Sequence, residues 1–204
     1  MRNFAIIPAA GHSRRMGTNK LLLPWHQATV IDQVLATWTK SLVTRVVIVV
    51  RQDDVDLITK SVNWPVEIVR PQFDPRDMKE SIQCGLQHLS MTYAPEQFDR
   101  WLVAPADLPA LSGKTIDTVI SATLSNSDQN VDQSQSIVLP RYGDRRGHPV
   151  SFPWAFANAV FALPHDEGVN RLLLEHPVSF IDFPGELAAD DIDTPEQYRR
   201  QLDS

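Results

Sequence analysis

Residues 5–20 read AIIPAAGHSRRMGTNK: an apolar run stops at a proline, turns through two alanines and a glycine, and then becomes strongly cationic. Residues 4–7 suit a short buried strand, and the segment after them is a loop with an unusual local charge. Beyond it, residues 29–42 carry Val30, Ile31, Val34, Leu35, Trp38 and Leu42, the spacing of a helix with one buried face. Residues 45–50 then return as a continuous β-branched run, typical of a strand covered on both faces. The same alternation continues: helix 55–62, strand 66–69, helix 79–89, strand 101–104, helix 115–124 and strand 137–139. Strand alternating with helix predicts βαβ units and a parallel sheet covered by helices. After residue 152 the pattern loosens into two short helices, a strand at 178–183 and a closing helix. Thr194, Pro195 and Glu196 make a good start for that helix. The polar stretch 125–136, SNSDQNVDQSQS, reads as a surface loop.

Bulk composition sets limits on what such a chain does. At 204 residues it has the size of one domain, and 43% hydrophobic residues are enough for a sizeable core. The longest purely apolar run, residues 46–50, is far short of the roughly 18 residues that a membrane span needs. Pro8 interrupts the apolar start and the arginine pair follows it, an order opposite to that of a secretory signal. Cys84 is the only cysteine, so no internal disulfide and no Cys-based zinc site is expected. These features suit a cytoplasmic protein. A net charge of −6 argues against a nucleic-acid partner. The positive charge of the opening loop is therefore local and calls for a local anion.

Open α/β sheets bind ligands outside the carboxyl ends of their strands, and two loops belong there. The opening loop is neither a P-loop nor a Gly-x-Gly-x-x-Gly turn. Even so, Ala9, Ala10 and Gly11 allow close approach to backbone amides, while Arg14, Arg15 and Lys20 supply charge for phosphate. A solvated basic turn would share this composition. The second loop lies in WLVAPADLPAL, residues 101–111, where a buried strand runs into Asp107 between two prolines. An acid at a strand's carboxyl end suits magnesium, although a lone Asp also serves as a helix cap. Phosphate loop and acid on one sheet edge together describe nucleotidyl transfer.

At these loops the chain resembles a known family. PAAGHSRRMGTNKLLLPW is similar to the nucleotidyltransferase signature Ala-Ala-Gly-x-Ser-x-Arg-Met-Gly-x-x-Lys. MKESIQCGL at residues 78–86 resembles the family's Met-x-x-Ser-hydrophobic-x-x-Gly-Leu segment. PADLP resembles its metal-site turn, RRGHPVSF at residues 145–152 its acceptor-side Gly-His-Pro-Val motif, and DIDTPEQY its last helix start. The ordered set is similar to the molybdenum cofactor cytidylyltransferases and other MobA-like nucleotidyltransferases.

This resemblance implies one α/β domain with a three-layer, Rossmann-like, mostly parallel sheet of the nucleotide-diphospho-sugar transferase type. Its nucleotide half would span about residues 1–110 and its acceptor half about 111–204. Ala9, Ala10, Gly11 and Ser13 would wrap CTP, with Ser81 also touching the nucleotide. Arg15 and Lys20 would meet the phosphates, and Asp107 would hold Mg2+, with Asp193 and Asp166 the next acids. Arg146, Gly147 and His148 would face the acceptor, molybdenum-bearing molybdopterin, and a molybdoenzyme would be the partner protein. Relatives that use GTP carry Ala-Gly-Gly where this chain has Ala9-Ala10-Gly11, which favours cytidine. Three departures stand out: Asp77 replaces a usual glycine, residues 165–170 lack the family's arginine at Asn170, and Pro8 is shared with the methylerythritol phosphate cytidylyltransferases. A sugar phosphate acceptor, or a carrier that binds cofactor or nucleotide without catalysis, are the competing readings.

Overall fold

The computed structural model describes residues 1–13, 16–124, 135–184, 191–192 and 194–202. Its centre is β1 (Asn3–Pro8), which pairs in parallel with β4 (Arg45–Val49) on one side and β6 (Arg100–Val103) on the other. Beyond β4 lies β5 (Glu67–Val69), again parallel. On the β6 side come β9 (Val150–Pro153), β7 (Ile137–Tyr142) and the edge strand β10 (Val178–Phe183). β9 runs antiparallel to both β6 and β7, whereas β10 is parallel to β7. A two-residue strand, β8 (Arg145–Arg146), folds back on β7 through a turn where Gly143 takes φ +57°. Separately, β2 (Pro24–Trp25) and β3 (Ala28–Thr29) form a small hairpin.

Alternation along β1 builds the three layers. Ala5 and Ile7 point to the face covered by α1 (Val30–Thr39), α2 (Val55–Ser61) and α4 (Gly113–Ala122). Phe4 and Ile6 point to the other, under α3 (Met78–Tyr93), α5 (Ala157–Ala162) and α6 (Leu172–Glu175). All four residues are fully buried, the pattern of a strand covered on both faces. Helix starts are set locally. Thr29 and Asp32 form a reciprocal capping box on α1, and Asp77 caps α3 by accepting from Glu80 N at 2.8 Å. That cap is the role of the aspartate that stands in place of the family's glycine.

The elements expected from the sequence are present, and the differences are instructive. The hairpin and β8 are two-residue strands, too short to leave a periodic signal. β9 follows a Gly-His-Pro turn that gives no hint of strand direction, so the antiparallel insertion becomes visible only in the pairing. Most of the stretch 125–136 lies outside the described residues. The closing helix, α7 (Pro195–Leu202), returns to the hairpin: Tyr198 donates its hydroxyl to the carbonyl of Pro24, and its ring lies 6.5 Å from that of Trp25.

Candidate active site

A cavity of about 440 Å3 opens at the carboxyl ends of β1 and β6, where the sheet geometry predicts a ligand site. Three segments line it: the opening loop at residues 8–13 with Met16, Lys20 and Leu21; the start of α3 at 75–78 with Ser81; and residues 105–107 after β6. Sequence-distant pieces therefore meet because their strands are neighbours.

The opening loop is shaped from within. Ala9 N–H donates to Val49 O at 2.9 Å, extending the sheet by one residue. The expectation that the Ala9 amide serves a ligand is thereby corrected, since the sheet already uses it. Among the described residues, no protein acceptor takes the amides of Ala10 or Gly11. A Cβ built on Gly11 would meet nothing within 4 Å, so packing of the protein does not demand glycine there. Gly11 borders the cavity, with open space where a side chain would stand. Ser13 takes φ +49°, and its Oγ accepts from Lys20 N at 3.2 Å, closing the loop on itself. Arg14 and Arg15 lie outside the described residues.

Lys20 begins a short 3-10 turn, Lys20–Leu22, whose cap is Asn19: its Oδ1 accepts from Leu21 N at 3.2 Å. The turn aims Nζ across the cavity at Asp107, and the two form an ion pair with side chains only 17% and 11% exposed. Asp107 Oδ1 is buried with no hydrogen-bond partner, although Oδ2 meets Lys20. A carboxylate oxygen in that position costs free energy unless something binds it. Among the described residues no three His, Cys, Asp or Glu side chains cluster as a metal cage. Magnesium in nucleotide enzymes usually takes one or two carboxylates and completes its shell with phosphates and water. The orphaned oxygen of Asp107 fits that kind of ion.

Ser81, on the first turn of α3, is 3% exposed and lines the cavity, with Oγ donating to Asp77 O at 3.3 Å. α3 comes this close because Gly85 packs on β1: a Cβ there would sit 2.7 Å from Ile6 Cγ2. From the far side, Ile192 N donates to Asp107 O at 3.2 Å, which ties the chain's end to the acid's turn. Asp193 follows directly in sequence but lies outside the described residues.

The acceptor-side candidates are placed differently. Arg146 is exposed on β8, opposite Arg141 of β7, and Asp166 is exposed between α5 and α6. Gly147 is buried and donates to Pro140 O at 2.9 Å. The His148 ring meets the Val103 backbone and lies within reach of the Asp107 charge. Burial pushes its pKa down against the opposing pull of the Val103 backbone and the Asp107 charge, and its Nδ1 has no partner. None of the four lines the cavity. Two cations escaped the sequence reading. Arg51 directly follows the apolar run of β4, the same placement that singled out Asp107. Arg76 lines the cavity and pairs with Glu80, and no local pattern announces it.

A family model described as the MobA-like NTP transferase domain matches residues 5–179. The chain belongs to this family. It is a nucleotidyltransferase, and the cavity is its nucleotide-site candidate. No match is found among curated proteins. Among solved structures, this MobA-like chain is similar to Rv0371c from Mycobacterium tuberculosis H37Rv, with a TM-score of 0.80 at 22% identity, covering 100% of this chain and 98% of that one. A complex of Rv0371c with manganese gives a TM-score of 0.77 at 20% identity, covering 100% of each chain. A CMP:2-keto-3-deoxy-manno-octonic acid synthetase complexed with CTP gives 0.75 at 9% identity, covering 100% of this chain and 98% of that one. At such identities the likeness shows the fold. It is the fold of nucleotidyltransferases, with a central and mostly parallel sheet. No helix among the described residues is long and apolar enough to cross a membrane.

Proposed function

We propose that this MobA-like nucleotidyltransferase transfers CMP from CTP to a phosphorylated small molecule and releases pyrophosphate. One observation carries the reading: two unclaimed loop amides, the ammonium of Lys20 and the half-satisfied carboxylate of Asp107 converge on one cavity. Cytidine is favoured by Ala10, where relatives that use GTP carry glycine, and a structural neighbour is a CTP complex. The acceptor in this reading is molybdenum-bearing molybdopterin, whose product a molybdoenzyme would receive, and the compartment is the cytoplasm.

An acceptor phosphate oxygen attacks the α-phosphorus of CTP, the bond from that phosphorus to the bridging oxygen breaks, and pyrophosphate leaves with the electron pair. The attacking phosphate is already ionised near neutral pH, so no side chain needs to remove a proton. The task left to the protein is to hold polyanions in line and neutralise their charge. Ala10 and Gly11 amides receive phosphate oxygens, and Arg15 adds charge from the same loop. Lys20 moves from Asp107 to the phosphates as the nucleotide enters. Asp107, with Asp193, would hold Mg2+, which when bound neutralises charge on the phosphate oxygens. Arg146, Gly147, His148 and Asp166 belong to the acceptor side of the proposal.

Pyrophosphate release, measured across four nucleoside triphosphates and a panel of acceptors that includes molybdenum-molybdopterin and sugar phosphates, tests this reading. Release with CTP and the molybdopterin acceptor supports it. Release with a sugar phosphate alone moves the acceptor. Nucleotide binding with no release under any pairing would favour a carrier.

A further inference from the structure

Next to the main cavity, sharing Gly11, His12 and Ser13 with it, lies a second hollow of about 330 Å3 that Asn19 and Arg51 also border. Arg51 does not line the main cavity. Its side chain is only 14% exposed and its donors are distributed around it. Nη1 donates to Gly11 O at 3.0 Å and to Ala10 O at 3.5 Å. Nη2 donates to Asp54 Oδ2 at 3.3 Å and Nε to Asp53 Oδ1 at 3.2 Å, with Asp74 Oδ2 at 3.8 Å from Nε. Three carboxylates surround one guanidinium, so its charge is already answered within the protein.

Asp54 joins this arginine to the other arm of the loop. Its Oδ1 caps α2 by accepting from Leu57 N at 3.3 Å. Oδ2, besides Arg51, accepts from Asn19 Nδ2 at 2.9 Å. Asn19 in turn caps the short turn that begins at Lys20. One buried carboxylate thus links the carbonyls of Ala10 and Gly11, through Arg51, to the residue that orients Lys20. In a trans peptide the C=O of one residue and the N–H of the next point in opposite directions. With the Ala10 and Gly11 carbonyls held toward Arg51, the Gly11 and His12 amides point away from it, and both residues line the main cavity, Gly11 carrying one of the two unclaimed amides. Arginine suits this task because its planar fork holds several acceptors in fixed directions, which an ammonium does not.

We propose that Arg51 is a positioning residue: with Asp54 and Asn19 it braces both arms of the opening loop, fixing the amides and Lys20 for the nucleotide's phosphates. The inference rests on the nucleotide reading above and adds to it a residue that touches no substrate. Three variants separate positioning from other roles. Arg51→Met removes the donors at similar length. Arg51→Lys keeps the charge without the fork. Asp54→Asn keeps an oxygen for the α2 cap but turns an NH2 toward Asn19 and Arg51, so the brace fails while the helix start survives.

Affinities for Mg·CTP and for inorganic tripolyphosphate, measured well below each variant's melting temperature, are the readout. All three variants are expected to bind both ligands at least about tenfold more weakly than wild type. Unchanged affinity in Arg51→Met overturns the proposal, whatever happens to its melting temperature. Weak binding in Arg51→Met with recovery in Arg51→Lys and no loss in Asp54→Asn also overturns it, because Arg51 would then be a direct phosphate ligand. Failure of the wild type to bind either ligand overturns the nucleotide reading itself and the brace with it. That result is distinct from a wild type that binds and variants that match it.

Discussion

On the β1 side of the sheet, Ala10, Gly11, Ser13, Lys20, Ser81 and Asp107 line one cavity; Arg146 and Asp166 stand exposed, Gly147 is buried against Pro140 and His148 lies beside Val103, and none of these four lines it. The contrast follows from connectivity. Around β1 the parallel neighbours all end at one edge, so each strand's following residue arrives at the same place. Beyond β6 the antiparallel β9 starts rather than ends at that edge, its Val150 beside Val103, so residues 146–148 reach it through the β7–β8 turn and not from a strand's carboxyl end. Parallel strand ends gather their following residues into the cavity, whereas the residues that lead into β9 pack against the edge or stand exposed beside it. The first half therefore presents a formed site in a single chain without ligand. Residues 146–148 and Asp166 stand apart from it.

If that contrast is right, the largest effect should come from the acid at the formed site. Asp107→Asn retains shape and removes the charge that a divalent ion needs. Turnover is expected to fall by roughly a hundredfold or more, on the scale of losing one oriented electrostatic group, with a nearly unchanged melting temperature. Ordinary activity in Asp107→Asn would make the Lys20 ion pair structural. The two glycines near the cavity separate packing from binding. Gly85→Ala forces a Cβ against Ile6 and is expected to cost about 1–3 kcal/mol of stability, seen as a lower midpoint in urea unfolding. Gly11→Ala meets no protein atom and should leave that midpoint unchanged, while weakening CTP by about tenfold, or about 1.4 kcal/mol. If Gly11→Ala binds CTP normally, the space before it is not where the nucleotide lies.

A smaller effect concerns acid. Burial alone would raise the pKa of Asp99, but hydrogen bonds from the Arg2 side chain and from the Arg2 and Glu96 amides outweigh it and hold the carboxyl below its usual value. A depressed carboxyl contributes stability above its unfolded value, near pH 4, and loses it as pH falls through the folded value. Asp99→Asn should flatten this part of the acid limb of a pH–melting curve. Smallest of all, Arg146→Ala should leave CTP affinity within about twofold of wild type, since that side chain is exposed and away from the cavity.

How much of this was legible in the sequence depended on the range of the interaction. β1, β4 and β6 announced themselves as apolar runs, because a strand buried on both faces tolerates little else. Asp107 stood out because it follows such a run between prolines, and Lys20 because it closes a cationic loop. Ser81 gave only a resemblance, and its burial depends on Gly85 drawing α3 onto Ile6. Arg51 carries no such mark although it occupies the same kind of position as Asp107. Its meaning lies in carbonyls forty residues earlier in the chain. The reversal at β9 is a pairing choice with no periodic trace, and with it went the placement of residues 146–148.

The central claim is that the β1-edge cavity takes a cytidine triphosphate, and direct titration of Mg·CTP and Mg·GTP into the wild-type protein by calorimetry tests it. The prediction is saturable binding of CTP with one site per chain, at least about tenfold tighter than GTP, a difference that one or two hydrogen bonds to the base edge supply. Equal affinities, a preference for GTP, or no saturable binding of either would contradict it.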